Sequence, residues 1–102
     1  MKGDFPMTEK DKVRHAARLF KVLGDETRLS ILHLLAENEA NVSTISERLN
    51  IEQSNISHQL KTLKTHRLVQ SRREGKSNIY FPDDHHVYSM LEQVIAHVEE
   101  DI

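Results

Sequence analysis

The chain has 102 residues, no cysteine and a net charge of −2, with 29 % charged and 37 % hydrophobic residues. That suffices for one domain with a modest core. The absence of thiols excludes disulfides, thiol redox sensing and thiolate metal sites, so any metal chemistry must use histidine and carboxylate. No apolar run approaches the roughly 20 residues that span a bilayer, and the segment Met1–Pro6 lacks a secretory-type apolar core, which makes the cytoplasm the expected location.

Residues 1–8 read as a loose arm. Thr8, with Asp11 three positions on, starts a helix. Val13, Ala16, Ala17, Phe20 and Leu23 then form an amphipathic stripe at helical spacing. Gly24 ends this helix and Asp25 caps the next. The second helix, through Leu29, Ile31, Leu32, Leu34 and Leu35 to about Glu37, is apolar around most of its circumference and reads as central.

Asn41 or Ser43 begins a third helix with Ile45 and Leu49 inward. Asn50–Gln53 reads as a turn, and Ser54 as the cap of a fourth helix with Ile56, Leu60 and Leu63 inward. Two short helices joined by about four residues, within 43–65, form a helix-turn-helix. The fourth helix turns outward Ser54, Asn55, Ser57, His58, Gln59, Lys61 and Thr62, groups able to reach base edges and phosphates.

Leu68–Arg72 and Asn78–Phe81 read as strands, joined by a loop over 73–77 in which Gly75 supplies positive φ. A basic hairpin after a helix-turn-helix makes a winged helix, with its wing at 68–81. Lys64, Arg72, Arg73 and Lys76 are expected at phosphates, where contacts give affinity and salt dependence but no sequence choice. Residues 54–80 hold six basic side chains against one acid, a balance of +5, whereas 81–102 hold six acids and no Lys or Arg, a balance of −6. The first block suits a polyanion and the second attracts cations.

Asp83 or Asp84 caps a final helix, taken as 83–101, whose stripe is Val87, Met90, Leu91, Val94, Ile95 and Val98. A second copy of itself is the economical partner for that stripe. The helix also carries Asp84-x-His86 and, ten residues later, His97-x-x-Glu100, a four-ligand set suited to zinc. Eleven residues of helix span roughly 16 Å and return to within about 20° of the same face. Zinc–ligand bonds are only about 2 Å long. One helix therefore cannot close all four groups on one ion, but two antiparallel copies can, making two identical sites across a two-fold axis. His85, about 100° away, is expected to be exposed and not a ligand.

The segments Phe20–Leu32, Gln53–Leu63 and Arg73–Lys76, together with Asp84-x-His86-x10-His97-x2-Glu100, resemble the ArsR/SmtB family of metal-sensing winged-helix repressors. The likeness covers roughly residues 10–100 and is strongest to zinc sensors that use the C-terminal helix. It implies a fold that is mainly α with a small β-hairpin, dimerising through its N- and C-terminal helices. It further implies a homodimer that binds a pseudo-palindromic double-stranded operator when metal-free. Zinc would release it and derepress efflux or resistance genes. The Cys-x-Cys element of soft-metal relatives is absent: Asn41-Val42-Ser43 stands there. No histidine follows His97, which favours four-coordinate zinc, or cobalt as its mimic, over six-coordinate nickel. A metalloenzyme is disfavoured because four protein ligands leave no open position for water. Two alternatives stay open: a repressor whose Asp/His cluster is a structural or pH-sensitive dimer contact, and an interaction module with no DNA role.

Overall fold

A computed structural model describes residues 6–100, arranged as five helices and one β-hairpin: α1 Glu9–Leu23, α2 Glu26–Glu37, α3 Val42–Leu49, α4 Gln53–Thr65, β1 Val69–Glu74, β2 Ser77–Pro82 and α5 His85–Glu100. The first five residues of the expected arm and Asp101 of the expected final helix lie outside the described residues.

Local chemistry sets the helix starts. Thr8 and Asp11 form a reciprocal capping box on α1. Asp25 accepts from the Arg28 amide at α2, and Asn41 from the Thr44 amide at α3. Asn41, not Ser43, is thus the α3 cap. Ser54 is not the cap of α4: Glu52 occupies that position with no side-chain cap bond, and Ser54 sits inside the first turn. The turn is correspondingly shorter. Asn50 takes the left-handed conformation (φ 57°) that asparagine tolerates, and the Ile51 amide returns to the Ser46 carbonyl.

The end of α4 is a Schellman turn with arginine in the glycine position. Arg67 has φ 58°, its amide bonds to the Lys64 carbonyl, and the Leu68 amide bonds to the Leu63 carbonyl. Leu63 and Leu68 are both buried there. Their burial holds a conformation that otherwise disfavours a side chain.

The strands extend further into the loop than expected. Glu74 pairs with Ser77, leaving a two-residue turn in which only Gly75 has positive φ (61°). That matches a type II′ hairpin, whose backbone follows the natural strand twist. Register runs from Glu74–Ser77 to Val69–Pro82. Ala40 adds a bridge to Tyr80, tying the α2–α3 connection to the wing.

The core gathers Ile31, Leu32 and Leu35 of α2 with Ile45, Ile56, Leu60, Leu63, Leu68 and Val69. α2 is central, as its pattern requires. The outer helices pack only part of their apolar stripes against the core. α1 faces it with Leu19, Val22 and Leu23, while Val13 and Phe20 of its stripe are 68 % and 57 % exposed. On α5, Val87, Met90 and Leu91 pack inward, but Val94 and Val98 are about half exposed. Among the described residues nothing covers these exposed positions. The described fold is flat, 43 × 42 × 20 Å, with a radius of gyration of 15.3 Å, above the about 13 Å expected for a compact domain of this size.

Tyr88, which the stripe omits, anchors α5. Its ring is buried and its hydroxyl donates to the Leu68 carbonyl at 2.9 Å. Burial pushes its phenol above the ordinary tyrosine range, and the nearby Asp83 charge adds to the shift.

Candidate functional site

At the α5 N-terminus, Asp84 stands just before the first helical residue. Its Oδ1 accepts from the His86 amide at 2.8 Å and lies 2.8 Å from the His86 Nδ1. The backbone bond is the larger influence holding the Asp84 carboxyl below the ordinary carboxylate range, with the His86 ring adding to it. His85 is exposed, as expected, but does not turn away. Its ring stacks on His86 with centroids 4.5 Å apart. Asp84, His85 and His86 each present a ligand atom, all within 4.8 Å of one another. The reason is positional: Asp84 precedes the helix, so the 100° rule does not govern its relation to the next two residues.

That trio is the one such cluster among the described residues. His97 and Glu100 lie in the last turns of the same helix, both exposed, and do not join it. The donor chemistry, oxygen and imidazole, suits zinc. One chain therefore places these side chains in two separate groups, at the two ends of α5.

The second surface is formed by α4 and the wing. Ser54, Asn55, Ser57, His58 and Lys61 are exposed on α4. Gln59 is half-buried and held: its Oε1 accepts from Arg28 at 3.0 Å, and its Nε2 donates to Asn55 at 3.2 Å. Lys64 bonds to the Ser71 hydroxyl, joining α4 to β1. In the wing, Arg73 Nε donates to the Gly75 carbonyl and Lys76 is exposed.

Arg72 differs from the free phosphate contact the sequence suggests. Its guanidinium is bidentate to Glu39 (3.0 and 2.6 Å), bonds Glu74 through Nε at 2.8 Å and lies 5.4 Å from the Phe81 ring centroid. Two carboxylates engage its fork, a geometry that arginine favours. Glu39 in turn is held below its ordinary range by this hydrogen bond. A pair separated by 33 residues carries no signal in a single sequence. The link from Arg28 to Gln59, across 31 residues, is equally invisible there, whereas the i, i+4 pair of Asn55 and Gln59 is readable from helical spacing.

A helix-turn-helix flanked by a two-stranded basic wing defines a winged-helix DNA-binding protein. Residues 25–71 match the model of the bacterial regulatory protein, arsR family. A transcriptional repressor SmtB homolog of Synechocystis is 33 % identical over 88 % of this chain and 68 % of its own length. A cadmium resistance transcriptional regulatory protein CadC homolog of Staphylococcus aureus is 34 % identical over 82 % of this chain and 70 % of its own. The solved homodimeric winged helix-turn-helix DNA-binding domain from Mycobacterium bovis aligns with TM-score 0.81 at 29 % identity, covering 99 % of this chain and 93 % of that one. The chain belongs to the ArsR family: it is a transcription regulator and not an enzyme. No described helix is long and apolar enough to cross a membrane.

Proposed function

We propose that the protein is a cytoplasmic, zinc-responsive repressor that binds a pseudo-palindromic operator as a metal-free homodimer and leaves it when zinc binds. The observation that carries this is the split donor set of α5. Asp84 and His86 stand at one end, His97 and Glu100 at the other, on a helix whose Val94 and Val98 are uncovered.

Antiparallel pairing of two α5 helices would bring opposite ends together and cover that apolar face. The uncovered Val13 and Phe20 of α1 extend the same need for a partner. The homodimeric relative of known structure supports the assembly, and the metal-resistance relative supports a metal signal. When bound, zinc supplies a cross-link between subunits that favours one spacing of the DNA-reading lobes. Asp84, His86, His97 and Glu100 supply its ligands; the two α4 helices of the dimer enter successive major grooves about 34–36 Å apart, with the wings beside them at phosphates.

The Asp84–His86 hydrogen bond favours a second reading, in which this cluster is a pH-sensitive structural contact. Fluorescence anisotropy separates the two, using a palindromic operator obtained by selection from random DNA. Zinc should weaken binding by about 5–150-fold, the span of a 1–3 kcal/mol coupling, and a chelator should restore it. Unchanged operator affinity at saturating zinc refutes the sensor and leaves the structural contact.

A further inference from the structure

Arg28 stands at the start of a hydrogen-bond chain that ends on the recognition face. Its amide donates to Asp25 at 3.0 Å, its Nε to the Val22 carbonyl at 2.8 Å, and its Nη1 to Gln59 Oε1 at 3.0 Å. Gln59 Nε2 then donates to Asn55 Oδ1 at 3.2 Å. The polarity of this chain is forced. A guanidinium has donors and no acceptor, so the Gln59 oxygen must face Arg28. Its NH2 group therefore faces outward, and the group it meets on Asn55 must be the oxygen. Each amide oxygen accepts one bond within the protein, and the exposed Asn55 keeps its amide N–H groups as the donors it can offer outward.

We propose that Arg28 is a positioning residue that sets the amide polarity of Gln59 and Asn55, so that the recognition helix offers paired donors and selects guanine over adenine at the base they meet. Guanine presents two acceptors, N7 and O6, in the major groove. The usual adenine contact of asparagine or glutamine needs an amide oxygen for N6–H as well as a donor for N7. Here each of those oxygens already accepts from a donor of the protein, which leaves the amide N–H groups as the better-presented edge. The inference rests on the reading of α4 as the DNA-contacting helix. It adds a specificity rule and a residue outside that helix that imposes it. Because Arg28 also holds the Val22 carbonyl, the same side chain joins the end of α1 to the recognition face.

The test is selection from random DNA with the metal-free full chain, in wild type and four variants. The position concerned is the one whose base preference changes in Asn55→Asp. Wild type should prefer guanine over adenine there by about tenfold or more, within the range of one good base contact. Arg28→Met lets the Gln59 amide rotate, and the preference should fall below about twofold. Arg28→Lys, still a donor-only side chain, should retain it. Gln59→Glu keeps the bond to Arg28 but meets Asn55 with an oxygen. Asn55 must then reverse its amide, and the preference should move to the donor edges of adenine and cytosine. This variant carries the test should Arg28→Met fail to fold. A merely structural Arg28 would weaken all sequences alike and leave the preference unmoved, which overturns the inference. Adenine enriched at that position in wild type also overturns it, as does Gln59→Glu with guanine still preferred. A wild-type selection that enriches no half-site brings down the DNA-reading proposal, and this inference with it.

Discussion

Replacing Tyr88 by phenylalanine removes one hydroxyl and leaves the ring that anchors α5. The lost bond is a buried one, 2.9 Å long, to the Leu68 carbonyl. A net intramolecular hydrogen bond contributes about 0.5–1.5 kcal/mol. The carbonyl is not fully orphaned, because the Asp83 amide also donates to it at 3.3 Å. The expected cost at neutral pH is therefore about 1 kcal/mol, or roughly 4–8 °C in Tm for a domain of this size. The pH dependence follows from the raised phenol. The folded protein keeps Tyr88 neutral above the ordinary value of 10.0, whereas the unfolded chain ionises there. The stabilisation is complete below pH 10 and declines as pH rises toward the folded value, by about 1.36 kcal/mol per pH unit. The wild-type advantage should thus vanish near pH 11. Thermal melts of metal-free protein at one fixed concentration, from pH 7 to 11.5, measure both effects. Equal Tm at pH 7, or parallel loss of stability in both proteins above pH 10, refutes the reasoning.

Three further outcomes concern the wing. Glu39→Gln removes the carboxylate from the Nη edge of Arg72 and leaves Glu74 on Nε; that edge can then meet phosphate, so the salt dependence of operator binding should steepen by up to about 1.8 in log–log slope, one contact per subunit of a dimer. In the wild type the Glu39 carboxyl sits below its ordinary 4.5; the pair should stay whole as pH falls past that value and be lost only at the lower folded pKa, readable from the Glu39 carboxyl carbon resonance. Loss of the pair already above pH 4.5 contradicts the geometry. Lys76→Ala should lower the salt slope by about 1.8 and leave base preference unchanged; a changed preference would place Lys76 at a base edge.

Elements with short-range causes were legible in the sequence. Thr8 with Asp11, Asp25, and the positive φ of Gly75 are set by atoms within a few residues, and these features lie where the pattern puts them. The core of α2, α3 and α4 follows from periodicity, because a buried face repeats with the helix. Ser54 failed as a cap because any of several polar residues near the turn satisfies the same pattern. Tyr88 was not legible as the anchor of α5 because its amphipathic ring reads as neither core nor surface.

The amino-acid order alone specifies where α5 carries its carboxylates and imidazoles and which face of α4 is polar, since both depend on identity and helical phase. Only the tertiary structure decides what those groups are free to do. Arg72 is engaged by Glu39 and Glu74, Gln59 is held by Arg28, and among the described residues Val13, Phe20, Val94 and Val98 stay exposed. Hydrogen bonds and packing between distant segments depend on how the chain closes in space, and a periodic pattern, being local, contains no record of that closure.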